Sequence, residues 1–121
     1  NDYEAQLLQE RTGLSASELA SRVKAYIVTR GAEGSLIHAG GRTIEVPVVR
    51  AAQVVDPTGC GDAYRAGLLY GLMRGIDWET TGRIASLLGS IKIATVGTQH
   101  HKFSQDEFKD QFHAAFDYRL D

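Results

Sequence analysis

A glycine-rich segment between a short apolar run and a helical pattern constrains this sequence more than any other feature. The segment covers residues 56–62 and has the sequence DPTGCGD, with Val54 and Val55 before it. Glycines allow consecutive backbone N–H groups to turn toward one point, and a following helix N-terminus adds partial positive charge. The pattern therefore predicts an anion site at the passage from a strand into a helix.

Asp62 lies in the first predicted turn of that helix, beside the predicted anion site. A carboxylate aimed at an anion site is repelled by the bound anion, which is unfavourable unless the carboxylate has a chemical role, and proton abstraction from an attacking hydroxyl is such a role. A simpler interpretation also fits, in which Asp56 and Asp62 are turn and capping residues and the glycines only allow the bend. The segment is not a Walker A loop, because no Lys-Ser or Lys-Thr follows, and it lacks the glycine spacing of a dinucleotide fingerprint.

The hydrophobic periodicity and the capping signals predict a mixed α/β chain. Predicted helices cover residues 1–13, 15–24, 61–74 and 77–95, and a last helix begins at residue 104. Predicted strands cover residues 25–29, 35–39 and 42–49, with a short one at 54–55. A strand followed by a crossover helix favours a parallel sheet, but so few strands cannot form a sheet that is covered on both faces. We therefore expect further strands outside this sequence.

Charge and cysteine content exclude several classes of protein. The 121 residues contain 13 Lys and Arg against 15 Asp and Glu, a balance that argues against nucleic-acid binding and a polybasic membrane surface. No apolar run approaches the roughly 18 residues of a membrane-spanning helix. The single cysteine excludes an internal disulfide and a Cys-rich zinc site, and suits the reducing cytoplasm. We therefore expect a cytoplasmic protein.

Residues 56–62 resemble the D-T-x-G-A-G-D motif of the ribokinase/PfkB family of carbohydrate and nucleoside kinases, with Cys60 where that family usually has Ala. Two more motifs occur in the family's order. Residues 1–4 (NDYE) resemble its N-x-x-E motif, and residues 29–34 (TRGAEG) resemble its T-x-G-x-x-G turn. The resemblance spans essentially the whole chain. Residues 56–67, with Gly97-Thr98-Gln99 downstream, are most similar to bacterial-type adenosine kinases, although sugar kinases share most of that pattern.

The resemblance implies a ribokinase-like three-layer α/β/α fold. Residues 1–121 would form the C-terminal nucleotide-binding and catalytic portion of a PfkB-type kinase domain, with an incomplete, mostly parallel sheet and a β-hairpin. The N-terminal portion, which carries most of the substrate pocket and the lid in this family, would lie outside the sequence. Asn1, which no Met precedes, is consistent with that expectation.

The resemblance also assigns roles around the glycine-rich segment. Asp62 would be the catalytic base, and the backbone N–H groups of Gly59, Cys60 and Gly61 would form an anion hole for the γ-phosphoryl group of ATP. Phosphoryl transfer depends on positioning and charge neutralisation more than on covalent help. Cys60 keeps the required N–H, and its thiol is expected to be a small buried filler. Arg65, one helical turn further on, would face either phosphate or solvent.

By resemblance, the turn at residues 29–34 would bind the nucleotide. Thr29, Gly31 and Gly34 would contact the phosphates and ribose of ATP. The alternative from the sequence alone is a strand–turn–strand unit without a ligand.

Metal sites are implied at two places. Asn1 and Glu4 would act through water on Mg²⁺, which retains several waters and bridges phosphates. Asp56 and Thr58, with backbone oxygens near Gly97, resemble a monovalent-cation site that takes K⁺ in some members of the family. Thr58 and Gly97 would also border the nucleotide. Without the resemblance, Asn1 and Glu4 would be interpreted as helix-capping residues.

The function implied by the resemblance is ATP-dependent phosphoryl transfer to a hydroxyl of a nucleoside, with adenosine as the expected substrate. One alternative is a ribokinase-like or fructokinase-like sugar kinase. Another is a non-catalytic fragment that binds nucleotide, and we expect the isolated chain to be inactive. The expected partners are the small-molecule substrate and the N-terminal remainder of the same protein. A homodimer is compatible with the sequence.

Overall fold

The structure, a computed structural model, describes residues 1–49, 59–93 and 105–120. The described elements are α1 (Asp2–Thr12), α2 (Ala16–Ser21), β1 (Ala25–Thr29), a 3-10 turn (Gly31–Glu33), β2 (Ser35–Ala39), β3 (Arg42–Val46), α3 (Cys60–Met73), α4 (Trp78–Ile93) and α5 (Gln105–Phe116). The chain divides into two compact units, Asn1–Val48 and Val49–Asp121. None of these described helices is both long enough and apolar enough to cross a membrane.

The first two helices begin at the residues that the sequence predicted as N-caps, Asn1 and Ser15, and each start has a capping box. In α1 the Asn1 side chain accepts the N–H of Glu4, and in α2 the Ser15 side chain accepts the N–H of Glu18. Gly13 ends α1 in the left-handed conformation, with φ of 70°. Capping side chains satisfy backbone N–H groups that have no partner inside the helix, which explains why the sequence located both starts correctly. The second helix ends at Ser21, before the predicted end at residue 24.

The described strands form an antiparallel sheet in the order β1-β2-β3. Ile27 pairs with Ile37, and Ile37 pairs with Ile44 on the other side. This pairing differs from the predicted mostly parallel sheet, because residues 30–34 are too few to return the chain to the start of a parallel strand. A parallel connection needs about a dozen residues or more. The predicted strand at residues 54–55 lies outside the described residues.

The β2–β3 hairpin follows the sequence prediction closely. Gly40 and Gly41 connect the strands with φ of 57° and 75°, the left-handed pair that a tight two-residue hairpin requires. The returning strand ends at Val46 rather than at the predicted residue 49. Pro47 follows at once, and a proline has no N–H to donate to a strand ladder.

In the second unit, α3 packs against α4 through glycines. A Cβ added to Gly67 would lie 2.6 Å from the Cα of Ala85, and one added to Gly71 would overlap the side chain of Thr81. The two glycines lie one turn apart, on the same side of α3. The absence of side chains there allows the helix backbones to approach closely, which fixes α3 against α4.

The core of the second unit lies between α4 and α5. Ile84, Leu87 and Phe112 are fully buried there. Tyr118 adds to it, since its ring meets that of Phe112 edge to face with centroids 5.2 Å apart. The carboxylate of Asp77 accepts the N–H of Thr80 at 2.9 Å, and this hydrogen bond lowers the pKa of Asp77 below its usual range. Asp77 therefore caps α4, as the sequence predicts.

Candidate functional site

The N-terminus of α3 contains the glycine-rich residues that the sequence singled out. Gly59 is the N-cap and has a left-handed backbone with φ of 80°, and among the described residues no side chain caps the helix. The N–H of Ala63 donates to the oxygen of Gly59 at 3.0 Å, which is the first hydrogen bond of the helix. The N–H groups of Cys60, Gly61 and Asp62 precede it and have no acceptor within the helix. Such a helix start attracts anions.

Asp62 lies in that first turn, and its carboxylate is 83% exposed. Nη1 of Arg65 donates to its Oδ1 at 2.8 Å. Within the part of the chain that the structure describes, Oδ2 of Asp62 has no hydrogen-bond partner. The turn thus presents a carboxylate oxygen that can accept a proton, beside N–H groups that can bind an anion.

The thiol of Cys60 faces α4 and not the outside of the first turn. Its Sγ lies 3.6 Å from the carbonyl oxygen of Gly89, and the residue is half-buried. This contact agrees with the prediction that the thiol is a packed filler. It also ties the first turn of α3 to α4, at the same helix pair that the glycine contacts hold together.

The turn at residues 29–34 holds Thr29, Gly31 and Gly34 close together in the first unit. The N–H of Arg30 donates to the oxygen of Gly34 at 2.8 Å, which closes the turn. Gly31 and Gly34 have φ of 56° and 85°. A Cβ on Gly34 would overlap the carbonyl oxygen of Val46. The packing of the turn against that backbone therefore requires glycine here, independently of any ligand. The sequence suggested a ligand here and did not anticipate this contact.

Asn1 and Glu4 form the capping box of α1. Oδ1 of Asn1 accepts the N–H of Glu4 at 2.8 Å, and a carboxylate oxygen of Glu4 lies 2.7 Å from the backbone nitrogen of Asn1. Amide and carboxylate oxygens are the hard donors that Mg²⁺ prefers, so this pair fits water-mediated contact with that ion. The two hydrogen bonds are those of a helix-capping box, so helix capping alone accounts for the geometry that is observed.

Three predicted site residues, Asp56, Thr58 and Gly97, lie outside the described residues. Within residues 1–49, 59–93 and 105–120, no three His, Cys, Asp or Glu side chains form a cluster that could hold a metal ion. The structure therefore brings together Gly59–Asp62 at one helix start, Thr29–Gly34 in one turn, and Asn1 with Glu4 in one cap. Arg65 belongs with the first group because its guanidinium contacts Asp62. Residues three apart on a helix lie on the same face, so the sequence spacing could have indicated this contact.

Residues 1–105 match the sequence model of the pfkB family of carbohydrate kinases. A nucleoside kinase from Methanocaldococcus jannaschii is 36% identical over 99 residues, which are 82% of this chain and 33% of that protein. The chain thus spans about a third of the length of the curated relatives it matches.

Solved structures of two enzymes extend this similarity. A nucleoside kinase from Burkholderia thailandensis in complex with inosine superposes with a TM-score of 0.95 at 52% identity, covering 98% of this chain and 39% of that one. The same enzyme has been solved in complex with ADP-inosine. An adenosine kinase from Sinorhizobium meliloti superposes with a TM-score of 0.67 at 30% identity, covering 82% of this chain and 29% of that one.

Proposed function

Because this chain belongs to the pfkB family of carbohydrate kinases, we propose that it carries the phosphoryl-transfer residues of a nucleoside kinase. The fold is ribokinase-like, since the chain superposes with a TM-score of 0.87 at 32% identity on the Methanocaldococcus jannaschii nucleoside kinase, a member of the ribokinase family. The observation that carries the proposal is the first turn of α3, where an exposed carboxylate lies beside N–H groups that the helix does not use. The similarity to nucleoside kinases supports a nucleoside as the phosphoryl acceptor.

Asp62 acts in this proposal as the general base. Its Oδ2 accepts the proton of the substrate hydroxyl while the hydroxyl oxygen attacks the γ-phosphorus of ATP. The bond from that phosphorus to the β,γ-bridging oxygen breaks, and ADP leaves. A carboxylate suits this role when it lies within hydrogen-bond reach of the hydroxyl.

The N–H groups at the start of α3 act as the anion hole. The amides of Gly59, Cys60 and Gly61 stabilise the charge on the oxygens of the transferred phosphoryl group. Backbone donors held by a helix need no reorganisation during the reaction, which is the condition under which such groups are most effective. The tight contact of α3 with α4 and the Cys60–Gly89 contact keep these donors in place.

The nucleotide contacts in this proposal are those that the family resemblance implies. Thr29, Gly31 and Gly34 contact ATP, and Thr58 and Gly97 border it. Asn1 and Glu4 hold Mg²⁺ through water, and the ion would neutralise phosphate charge when bound. Asp56, with Thr58, is the proposed place of a K⁺ ion.

The proposed role of Asp62 as general base is tested by the substitution Asp62→Asn in the full-length protein that contains this chain. We expect phosphorylation of adenosine and inosine to fall by about 10² to 10⁴, the usual contribution of a general base. ATP binding, measured by calorimetry, should change by only a few fold. The control is Asp106→Asn, which alters an exposed acidic residue in the first turn of α5 and should leave both quantities unchanged. Near-normal turnover by Asp62→Asn would contradict the assignment.

A sugar is the second candidate acceptor, because the matching family model is that of carbohydrate kinases. A panel of adenosine, inosine, ribose and fructose with the full-length protein distinguishes the two. Higher kcat/KM for a sugar than for either nucleoside would favour the sugar kinase. ATP binding without phosphorylation of any acceptor would favour the third possibility, a protein that only binds nucleotide.

A further inference from the structure

We propose that Arg65 is a positioning residue for Asp62, a proposal that rests on the proposed function. Its guanidinium contacts Oδ1 of Asp62 at 2.8 Å and leaves Oδ2 to the substrate hydroxyl. The contact therefore selects which carboxylate oxygen is available, and limits the rotation of the carboxylate about its own axis.

The guanidinium also lies against the first turn of α3. A Cβ built on Gly61 would be 3.6 and 3.9 Å from its two terminal nitrogens. Arg65 thus reaches back over the residues whose N–H groups form the anion site. Side chains on a helix point toward its N-terminus, so an arginine one turn into α3 can reach this position without distortion.

The contact between Arg65 and Asp62 also has an electrostatic effect. A carboxylate next to an anion site repels the phosphates of ATP. A guanidinium 2.8 Å from that carboxylate offsets its charge, although solvent screens the effect because both side chains are largely exposed. A cation near a helix N-terminus is itself unfavourable for the helix dipole. An acid followed three residues later by a base also stabilises a helix, so the experiments below separate this local role from the role beside phosphate.

The first experiment compares Arg65→Met and Arg65→Lys in the full-length protein. We expect Arg65→Met to lower kcat about tenfold, less than the hundredfold that a misplacement of about 1 Å can cost, with the KM for the nucleoside unchanged. Arg65→Lys keeps the charge and should recover most of this loss. The control is Arg74→Met, which removes an exposed arginine from the other end of the same helix and should leave kcat unchanged.

A kcat for Arg65→Met equal to that of the unmodified protein would overturn the proposal, as would an equal loss in Arg74→Met. An Arg65→Lys variant as slow as Arg65→Met would overturn the role of charge. Since Arg65 is 71% exposed, its replacement should leave the fold intact, and an unchanged melting temperature checks this.

The second experiment is a double-mutant cycle on ATP binding. If Arg65 acts through Asp62, then Arg65→Met should weaken ATP binding by about two- to fivefold in the natural background, as expected for an exposed pair. In the Asp62→Asn background it should have no effect. Equal weakening in both backgrounds would overturn the proposal, because Arg65 would then contact phosphate directly.

The two proposals fail in different ways. Full activity of Asp62→Asn would reject the general base and with it the proposed function. Loss of activity in Asp62→Asn together with full activity in Arg65→Met would reject only the role of Arg65.

Discussion

Gly34 shows at the scale of one residue how a motif glycine can serve the fold. It follows the 3-10 turn with φ of 85° and ψ of −144°, a conformation open essentially to glycine alone. An added Cβ would overlap the oxygen of Val46 and lie 3.1 Å from the nitrogen of Val48. Both neighbours are backbone atoms, which cannot move aside as a flexible side chain can. Gly31, in the same turn, has no atom of the described residues within 4 Å of an added Cβ.

This difference predicts unequal effects of two alanine substitutions. We expect Gly34→Ala to lower the free energy of unfolding by about 3 kcal/mol, because backbone strain adds to the overlap. Gly31→Ala should cost about 1 kcal/mol, the strain of a left-handed alanine. Urea denaturation of the full-length protein measures both. Equal costs at the two positions would show that the contact with Val46 does not matter.

At the scale of elements, the α3–α4 pair holds the candidate site in place. Gly67 faces Ala85, Gly71 faces Thr81, and Cys60 contacts Gly89, so the two helices run in opposite directions along one contact line. Gly67 lies in the middle of the line, Gly71 lies toward one end, and the first turn of α3 lies at the other end. A shift of α3 on α4 would therefore move the N–H groups proposed to bind phosphate.

Gly67→Ala should separate the two helices. Its Cβ would lie 2.6 and 2.9 Å from backbone atoms of Ala85, so one of the helices must move. Overpacking lowers the free energy of unfolding by about 1–3 kcal/mol, and the better helix propensity of alanine offsets about 1 kcal/mol of this loss. We expect a net loss of about 1–2 kcal/mol in the free energy of unfolding, together with a lower kcat.

The matched control for that substitution is Gly89→Ala on the partner helix. Its Cβ would be 3.6 Å from Sγ of Cys60, which is an ordinary contact, so stability should be equal or up to about 1 kcal/mol higher. Thermal denaturation of both variants provides the comparison. A destabilised Gly89→Ala beside an unaffected Gly67→Ala would contradict the packing described here.

At the scale of the whole molecule, α3 presents an apolar face to solvent. Leu69, Leu72 and Met73 lie on neighbouring positions of the helix and are 59%, 51% and 86% exposed. Contiguous apolar surface of this kind marks an interface or a liability for aggregation. Because the chain spans about a third of its relatives, we expect the remainder of a full-length kinase to cover this face.

The isolated chain of 121 residues should therefore bind a hydrophobic dye, and should not transfer phosphate. Replacing Leu69 and Met73 by lysine should reduce the dye fluorescence severalfold. The matched control is Val23→Lys, which changes a residue that is 53% exposed in the first unit and does not belong to α3. Dye binding that is insensitive to the α3 substitutions, or phosphotransfer by the isolated chain, would contradict this expectation.

Local signals in the sequence predicted most of the elements. Capping residues act within one helical turn, which explains why the starts of α1, α2 and α4 were located correctly. Gly40 and Gly41 predicted the hairpin for a similar reason, since positive φ is needed at both positions. The pairing of β1 with β2 depends on contacts between strands, and the expected parallel sheet differs from the antiparallel one that the described residues form.

In the candidate site, too, some features followed from the local sequence and others from contacts between distant elements. The order of the glycines and Asp62 in the sequence by itself determined that the glycine N–H groups and a carboxylate share one helix start, because all of these residues lie within one turn. Only the tertiary structure decided that Cys60 faces α4, that Gly34 accommodates Val46, and that Gly67 and Gly71 bring two helices together. These contacts join residues far apart in the chain, so the physical reason is that packing between elements, unlike capping, leaves no local pattern.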